Sequence, residues 1–310
     1  MSLYILDADS EIDCAHWDQA LSRLPAGLRD LHFDPEYARV YGGDEAFAAL
    51  YEHDDWVYVI EPFVFRSGGI VSPYGFGGPI SNCPTIEVAH AYRFELDRWM
   101  RASGVEWQWC RLHPFMSDVQ AKVLPDAVCR EKLNAYMDLH EDPTSELRKG
   151  HKSSLMLARK VGVSVEETDD VQLFYEMYKA MLDRHQADAK WRFDLSLLYE
   201  LKEAYPDGFH VLVASVAGRP ESGCVLLGSH GICYYHYAGS FDRHRDLGVG
   251  QALVVGAAEF AKSRGYGRLH LGGGLSTNTG DSLLRFKSGF SKRRAWCYTY
   301  TRELAQEQAA

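Results

Sequence analysis

Residues 245–250 read RDLGVG, and the chain runs on as QALVVGAAEFAKSRGY (251–266). Leu253, Ala257, Phe260 and Ala261 fall at i, i+4, i+7 and i+8, which marks a helix with one apolar face. Lys262 and Arg264 suit the negative end of that helix, and Gly265 suits the left-handed stop after it. The loop that opens the helix has two readings. In one, the glycines are incidental to a helix start. In the other, they cradle phosphate. Gly248 and Gly250 have no Cβ, so a diphosphate can approach the backbone closely. The first amides of a helix have no partner inside it. Leu247, Gly248, Val249, Gly250 and Gln251 would then turn several N–H groups on one anion, with Arg245 as a charged donor at the mouth. A bare GxG is weak evidence. The surroundings favour the cradle: strands ahead, an amphipathic helix behind, and a strand after it.

Working outward, FHVLVASV (209–216), SGCVLLG (222–228), GICYYHYAGS (231–240), RLHLGG (268–273) and AWCYTYTR (295–302) are strand-like, and DSLLRFKSGF (281–290) is a short helix. The turn AGRP (217–220) separates the first two. The first half repeats the rhythm. WVYVIEPFVF (56–65) is a strand and RSGG turns. IVSPYGFGGPI (70–80) is a glycine loop, a helix runs from about Glu87 to Gly104, and VEWQWCRLH (105–113) closes. Strands mixed with helices in this order predict an α/β chain of mixed sheets flanked by helices, in two similar domains. The polar stretch EDPTSELRKG (141–150) predicts the boundary, giving domains 1–145 and 146–310.

The 310 residues are 46% hydrophobic and 25% charged, with a formal net charge of -10. Nucleic-acid binders usually carry a basic surplus, so a nucleic-acid partner is disfavoured. The N-terminal MSLYILDADSEIDCAHW is not a signal peptide, and no run of about 18 apolar residues predicts a membrane span. Seven scattered cysteines without a CxxC pair read as buried thiols of a cytoplasmic protein. The 13 histidines show no ligand spacing, so no metal is expected. The oligomeric state is not legible.

R-x-x-G-x-G between a strand and a helix resembles the acyl-CoA pyrophosphate motif of the GNAT N-acetyltransferase superfamily. YHYAGSFDRHRDLGVGQAL, RLHLGGG and LLRFKSGFSKR resemble the C-terminal domain of its FemAB-like branch. FDPEYARVYGG (33–43), SPYGFGGPI (72–80) and CRLHPF (110–115) resemble that branch's N-terminal domain. The resemblance implies two tandem GNAT-like domains and an acyl-CoA-dependent N-acyltransferase working by direct attack in a ternary complex. The acceptor implied is a small-molecule amine, that of a nucleotide-linked amino sugar in surface-polysaccharide biosynthesis. The rival within the branch is aminoacyl transfer from charged tRNA to a peptidoglycan precursor. The intact RxxGxG, the lack of an inserted heptad arm and the acidic charge favour acyl-CoA. A non-catalytic binding module is a further alternative, and a degenerate loop would have supported it.

The resemblance places ICYYHYAGS beside the pantetheine arm, with backbone amides around Tyr237 and Ala238 on the thioester carbonyl. His236 is an imidazole able to take a proton near neutral pH, or else it fills a strand face. By alternation, Tyr235 and Tyr237 share the face opposite His236 and read as packing or wall residues. Phe286-Lys287 matches the branch's FK pair, which implies a lysine that stabilises charge near the acyl carbonyl. The alternative is a solvated helix charge. Arg285 occupies the slot where many GNAT enzymes carry a tyrosine acid, so the proton donor to the leaving thiolate is unassigned. In the first domain, Tyr74, Gly75 and Gly78 are candidate acceptor contacts. Arg111 could grip a phosphate bidentately or form a salt bridge, and His113 lies beside it near a strand end. The basic run 148–160 reads as a phosphate attractor or a solvated helix face, with the second favoured. RHQADAKWRF (184–193) reads as a loop over the acceptor.

Overall fold

Apolar runs without alternation, WVYVIEPFVF and FHVLVASV, become strands buried on both faces. The computed structural model describes residues 1–53, 56–124 and 128–304, and of Arg245 the backbone alone. The chain divides into two compact units, Met1–Lys132 with Trp296–Ala310, and Leu133–Ala295.

The first unit contains β1 (Ser2–Asp7), α1 (Glu11–Ser22), α2 (Pro35–Gly42), β2 (Ala46–His53), β3 (Trp56–Arg66), β4 (Gly69–Val71), α3 (Ile86–Ala102), β5 (Trp107–Arg111) and α4 (Ser117–Val123). Strand β6 (Cys129–Asp138) runs through the division. The second unit continues with α5 (Lys149–Lys160), β7 (Ser164–Thr168), α6 (Val171–Arg184), α7 (Leu195–Ala204), β8 (Phe209–Val216), β9 (Arg219–Ser229), β10 (Ile232–Ser240), α8 (Val249–Ser263), β11 (Arg268–Gly272) and α9 (Ser282–Lys287). The last strand, β12 (Arg294–Glu303), lies almost wholly in the first unit.

Each sheet is mixed, and the two follow one pattern. In the first unit, β1, β2, β3 and β4 pair antiparallel in turn, β5 joins β4 in parallel, and β12 pairs antiparallel with β5. In the second, β7, β8, β9 and β10 pair antiparallel, β11 joins β10 in parallel, and β6 pairs antiparallel with β11. The hairpins β3–β4, β8–β9 and β9–β10 turn at Ser67-Gly68, Ala217-Gly218 and His230-Gly231. Both residues of each pair have positive φ, the backbone of a type I′ turn. The turns are therefore tighter than RSGG and AGRP suggest, and Arg219 already begins β9.

The division differs from the expected 145/146 boundary. It falls at Lys132/Leu133, and residues from Trp296 onward return to the first unit. The cause is strand pairing. Asp138 to Ala135 of β6 lie along β11, while Thr299 to Glu303 of β12 lie along β5. By chain order β6 would complete the first sheet and β12 the second, so the two final strands are exchanged.

In the first unit, Trp17, Phe33, Ala38, Leu50 and Ile60 pack together on the α1 and α2 side. Val59, Phe63, Ile70, Tyr92, Leu96 and Met100 pack on the α3 side. In the second, α5 and α8 share one core with Leu212, Cys224, Leu226, Cys233, Leu269 and Leu271. Helix α6 covers the other face. A Cβ on Gly239 would stand 2.4 Å from the Tyr178 backbone N, and one on Gly223 would stand 3.3 Å from Met177 Cε. These glycines let α6 approach β9 and β10 closely.

The described cysteines are all free thiols, and Cys110, Cys224, Cys233 and Cys297 are buried. No helix among the described residues is long and apolar enough to cross a membrane. Gly239→Ala should overpack the α6 seat and cost about 1–3 kcal/mol. Urea unfolding reads this as a lower midpoint at constant slope, and an unchanged midpoint would count against the close approach.

Candidate functional site

The second unit contains a fork. Parallel pairing of β10 with β11 covers Ile232–Arg268, Cys233–Leu269 and Tyr234–His270, and there the ladder ends. Strand β10 continues to Ser240, and β11 to Gly272. On its other edge β10 stays paired with β9, but the register slips between Tyr235 and Tyr237. His236 is therefore the extra residue of a β-bulge, the local device that re-aims side chains next to functional sites.

The bulge overturns the expected face assignment. Tyr235 packs against the α8 core, where Leu226, its register partner, also lies. Tyr237 is buried among Tyr178 and Phe193, with centroids 5.8 and 4.6 Å away, on the α6 side. The two tyrosines thus lie on opposite faces, because one inserted residue reverses the alternation beyond it. His236 sits edge-on to Tyr237 at 4.4 Å. Ala238 packs toward the α8 core. The RHQADAKWRF segment is pinned here: the Tyr178 hydroxyl donates to Trp191 O (2.8 Å) and the Tyr175 hydroxyl to Phe193 O (2.9 Å).

RDLGVG forms a short 3-10 turn, Arg245–Leu247, followed directly by α8. The Leu247 side chain packs on the core, and Val249 is buried, so each can face a ligand only through its backbone. Gly248 caps α8 at φ 76 and ψ 20. A Cβ there would stand 2.2 Å from Ser154 O on α5. The first glycine is thus required by the fold itself. Gly250 differs: a Cβ would meet only Phe286, at 3.6 Å, an ordinary contact. Gln251 is half-buried in the first turn. The side chain of Arg245 lies outside the described set. The basic run forms α5, and Lys149, Lys152 and Lys160 are exposed. At about 100° per residue they are turned well away from Ser154, which faces the loop. The solvated-face reading describes them.

Phe286 and Lys287 reach the same region from α9. Phe286 lies against Gly250 and near the rings of His151 (5.4 Å) and Phe290 (5.1 Å). His151 Nε2 lies 2.9 Å from Phe286 O, so it carries the proton and donates. Burial pushes the His151 pKa down. The Lys287 ammonium donates to Gly273 O at 2.9 Å, and the missing Cβ of Gly272 (φ 78) would lie 3.2 Å from its Nζ. Tyr234 pairs with His270, so His236 and Gly272 stand two residues beyond the fork on opposite strands. Arg285, in the vacant tyrosine slot, is exposed.

The loop before α9 is cinched by Asp281. Its Oδ1 accepts from Leu283 N and Leu284 N, and its Oδ2 from Leu275 N, Ser276 N and Ser276 Oγ. Burial opposes the charge, but these donors hold the carboxyl below its ordinary pKa. Sequence reading passed over Asp281 and His151. The first shows only as an N-cap residue before LLRFK, and the second carries no local signal.

In the first unit, Tyr74 is exposed and stacks on Tyr41, with centroids 4.8 Å apart and planes 17° apart. Gly75 (φ 87) and Gly78 (φ 82) need glycine for conformation and for contact with protein. Their Cβ atoms would stand 2.8 Å from His32 Nε2 and 2.7 Å from Leu112 Cδ2. Arg111 is engaged bidentately by Glu131, at 2.9 and 3.0 Å, and lies over the Trp109 ring. Of its two readings, the salt bridge is the one formed. His113 is completely buried rather than at an open strand end. Its Nδ1 accepts from Phe115 N (3.3 Å), and its Nε2 lies 3.5 Å from Asp30 Oδ2. Asp30 Oδ1 is 2.6 Å from His32 Nδ1 and accepts from His32 N. Burial opposes the Asp30 charge, yet His113 and His32 hold its pKa well below the usual range. Burial lowers that of His32 against the pull of Asp30. The histidine spacing gave no hint of this cluster.

Residues 145–288 match the family model of an acetyltransferase (GNAT) domain. No curated protein matches the sequence. Among solved structures the chain is similar to FemX, at 13% identity and TM-score 0.67, covering 98% of this chain and 95% of that one. It is similar to L-PGS from Bacillus licheniformis, at 12% and 0.61, covering 95% and 93%. It is also similar to a tandem GNAT protein from the clavulanic acid biosynthesis pathway, at 10% and 0.56, covering 99% and 100%. At such identities these likenesses concern the fold.

Asp281→Ala should remove the cap and the loop clasp, costing about 0.5–2 kcal/mol in chemical denaturation near neutral pH. The folded pKa of Asp281 lies below the unfolded one. Its contribution is therefore complete above about pH 5 and lost as pH falls below about 4. The stability gap between wild type and variant should close over that window, and a gap independent of pH would exclude the ionised clasp.

Proposed function

We propose that the chain, whose residues 145–288 match the family model of an acetyltransferase (GNAT) domain, is an N-acyltransferase that moves an acyl group from acyl-CoA to the amine of a small molecule. The observation that supports acyl-CoA is the convergence at the fork: the helix start at Gly248–Gln251, Phe286 against Gly250, and the Lys287 ammonium beside Gly272. In this reading the amides of the α8 first turn bind the diphosphate. The backbone at Tyr237 and Ala238 lies along the pantetheine arm and donates to the thioester carbonyl.

The step requires an amine nitrogen to attack the carbonyl carbon, a C–S bond to break, and a proton to leave the nitrogen. His236, at the bulge, accepts that proton. Lys287 stabilises the oxyanion from a position fixed by Gly273 O. The electrons of the C–S bond leave on sulfur as thiolate, a good leaving group. His151 acts at one remove, by holding the Phe286 carbonyl and so the start of the FK pair.

For the acceptor we propose a nucleotide-linked amino sugar of surface-polysaccharide biosynthesis. Exposed Tyr74, stacked on the half-buried Tyr41, suits contact with a flat or cyclic ligand face. A second reading has aminoacyl-tRNA as donor. It is favoured by the likeness to the C-terminal domain of a putative lysylphosphatidylglycerol synthetase from Agrobacterium fabrum, at 13% identity and TM-score 0.59.

Calorimetry with CoA separates the two: the first reading expects saturable binding, the second none. Gly250→Glu should keep the fold, because an acid in the first turn suits the helix dipole, yet repel phosphate and weaken CoA binding tenfold or more. Unchanged affinity would sink the cradle. With acetyl-CoA and a panel of amino-sugar nucleotides, release of free thiol measures turnover. Lys287→Met should lower kcat on the order of 100-fold. His236→Asn should flatten the pH profile of kcat/KM, and a wild-type profile would remove the histidine from the base role.

A further inference from the structure

We propose that Asp30, His32 and His113 of the first unit together hold one divalent transition-metal ion of the zinc class.

The three residues come from separate places in the chain. Asp30 precedes the 3-10 turn Leu31–Phe33, His32 lies within it, and His113 follows β5. Each offers one ligand atom, and these atoms lie within 4.8 Å of one another. Two imidazole nitrogens and a carboxylate oxygen form a donor set that suits zinc, iron(II) or manganese(II). The three groups meet directly, with His32 Nδ1 2.6 Å from Asp30 Oδ1 and His113 Nε2 3.5 Å from Asp30 Oδ2, so a divalent ion would take the place of the protons these pairs share. The cluster also contains the outer bonds that metal ligands usually make. Phe115 N fixes the ring of His113 through Nδ1, which leaves Nε2 toward Asp30. Gln120 ties the segment down, accepting from His113 N and donating to Gly77 O.

Electrostatics points the same way. The side chains of Asp30 and His113 are 0% exposed and that of His32 2%. A carboxylate buried so deeply needs positive charge beside it, which the facing imidazoles supply when protonated and a divalent ion would supply in their place. Gly75 packs directly on the ring of His32: a Cβ at that position would lie 2.8 Å from His32 Nε2 and 3.4 Å from the Tyr37 hydroxyl. Such an ion would clamp the Asp30 turn, the His113 segment and the loop 72–80 to one another. It takes no part in the acyl-transfer step, and the inference does not depend on the donor or the acceptor.

A buried site loads as the chain folds, so the test uses the full-length protein expressed with zinc, iron and manganese in the medium. After dialysis against EDTA, elemental analysis should find about one metal equivalent per chain. Asp30→Asn and His113→Gln should each lose it while keeping the wild-type far-ultraviolet dichroism. Wild-type protein refolded from urea should melt higher with one equivalent of zinc than with EDTA. A metal-free wild type that also melts identically with and without zinc would overturn the proposal, leaving a hydrogen-bonded ionic cluster. So would metal retained in full by either variant. The wild-type measurements decide the matter even where a variant fails to fold.

Discussion

Much of the second unit follows from two parallel strands that pair for three residues and then part. The ladder between β10 and β11 ends at Tyr234–His270. A parallel edge that stops being used by its neighbour must offer its remaining amides and carbonyls to something else. The rest of the local structure is organised around that opening. The bulge at His236 re-aims the strand where it leaves its partner, α8 begins just past its end, and α9 brings Lys287 to the other prong. Gly272 lets an ammonium lie against the tip of β11, where Gly273 O accepts from it. None of these features alone specifies a ligand, but together they surround one strand gap with oriented donors.

The packing that keeps the gap in shape is rigid where it must be. Gly248 is pressed onto α5 at Ser154, and α5 in turn holds Phe286 through His151. The helix start and the FK pair are therefore referenced to the same piece of scaffold. On the opposite face, Gly223 and Gly239 seat α6, whose Tyr178 supports Phe193 and Tyr237. The two faces of β10 are thus set independently, one by α5 and α8, the other by α6.

Local sequence signals conveyed a good part of this. The helix after RDLGVG, its stop at Gly265 and the hairpin turns rest on periodicity and glycine chemistry, which act over a few residues. The FK pair was found by resemblance. What escaped depends on contacts made through space. Alternation put Tyr235 and Tyr237 on one face because a bulge leaves no mark in a run of aromatic residues. Gly248 suggested room for a ligand, whereas its hydrogen faces Ser154, far away in sequence. Arg111 gave no sign of Glu131, and the histidines at 32 and 113 meet Asp30 only once three segments are folded together. A polar, proline-containing stretch suggested a boundary at 141–150, but boundaries follow strand pairing, and pairing partners are not written next to each other.

The exchanged final strands bear on the order in which the protein can be made. The first unit is synthesised first, yet the strand that covers β5 arrives only after the whole second unit: Cys297 meets Leu112 across 185 residues of chain. While the second unit emerges from the ribosome, β5 presents an uncovered edge, the kind of surface on which nascent chains aggregate. The second unit has no such wait, because β6 precedes everything it pairs with. It is the later-made half that can close on its own schedule, and the earlier half whose β5 edge stays open until β12 has been made.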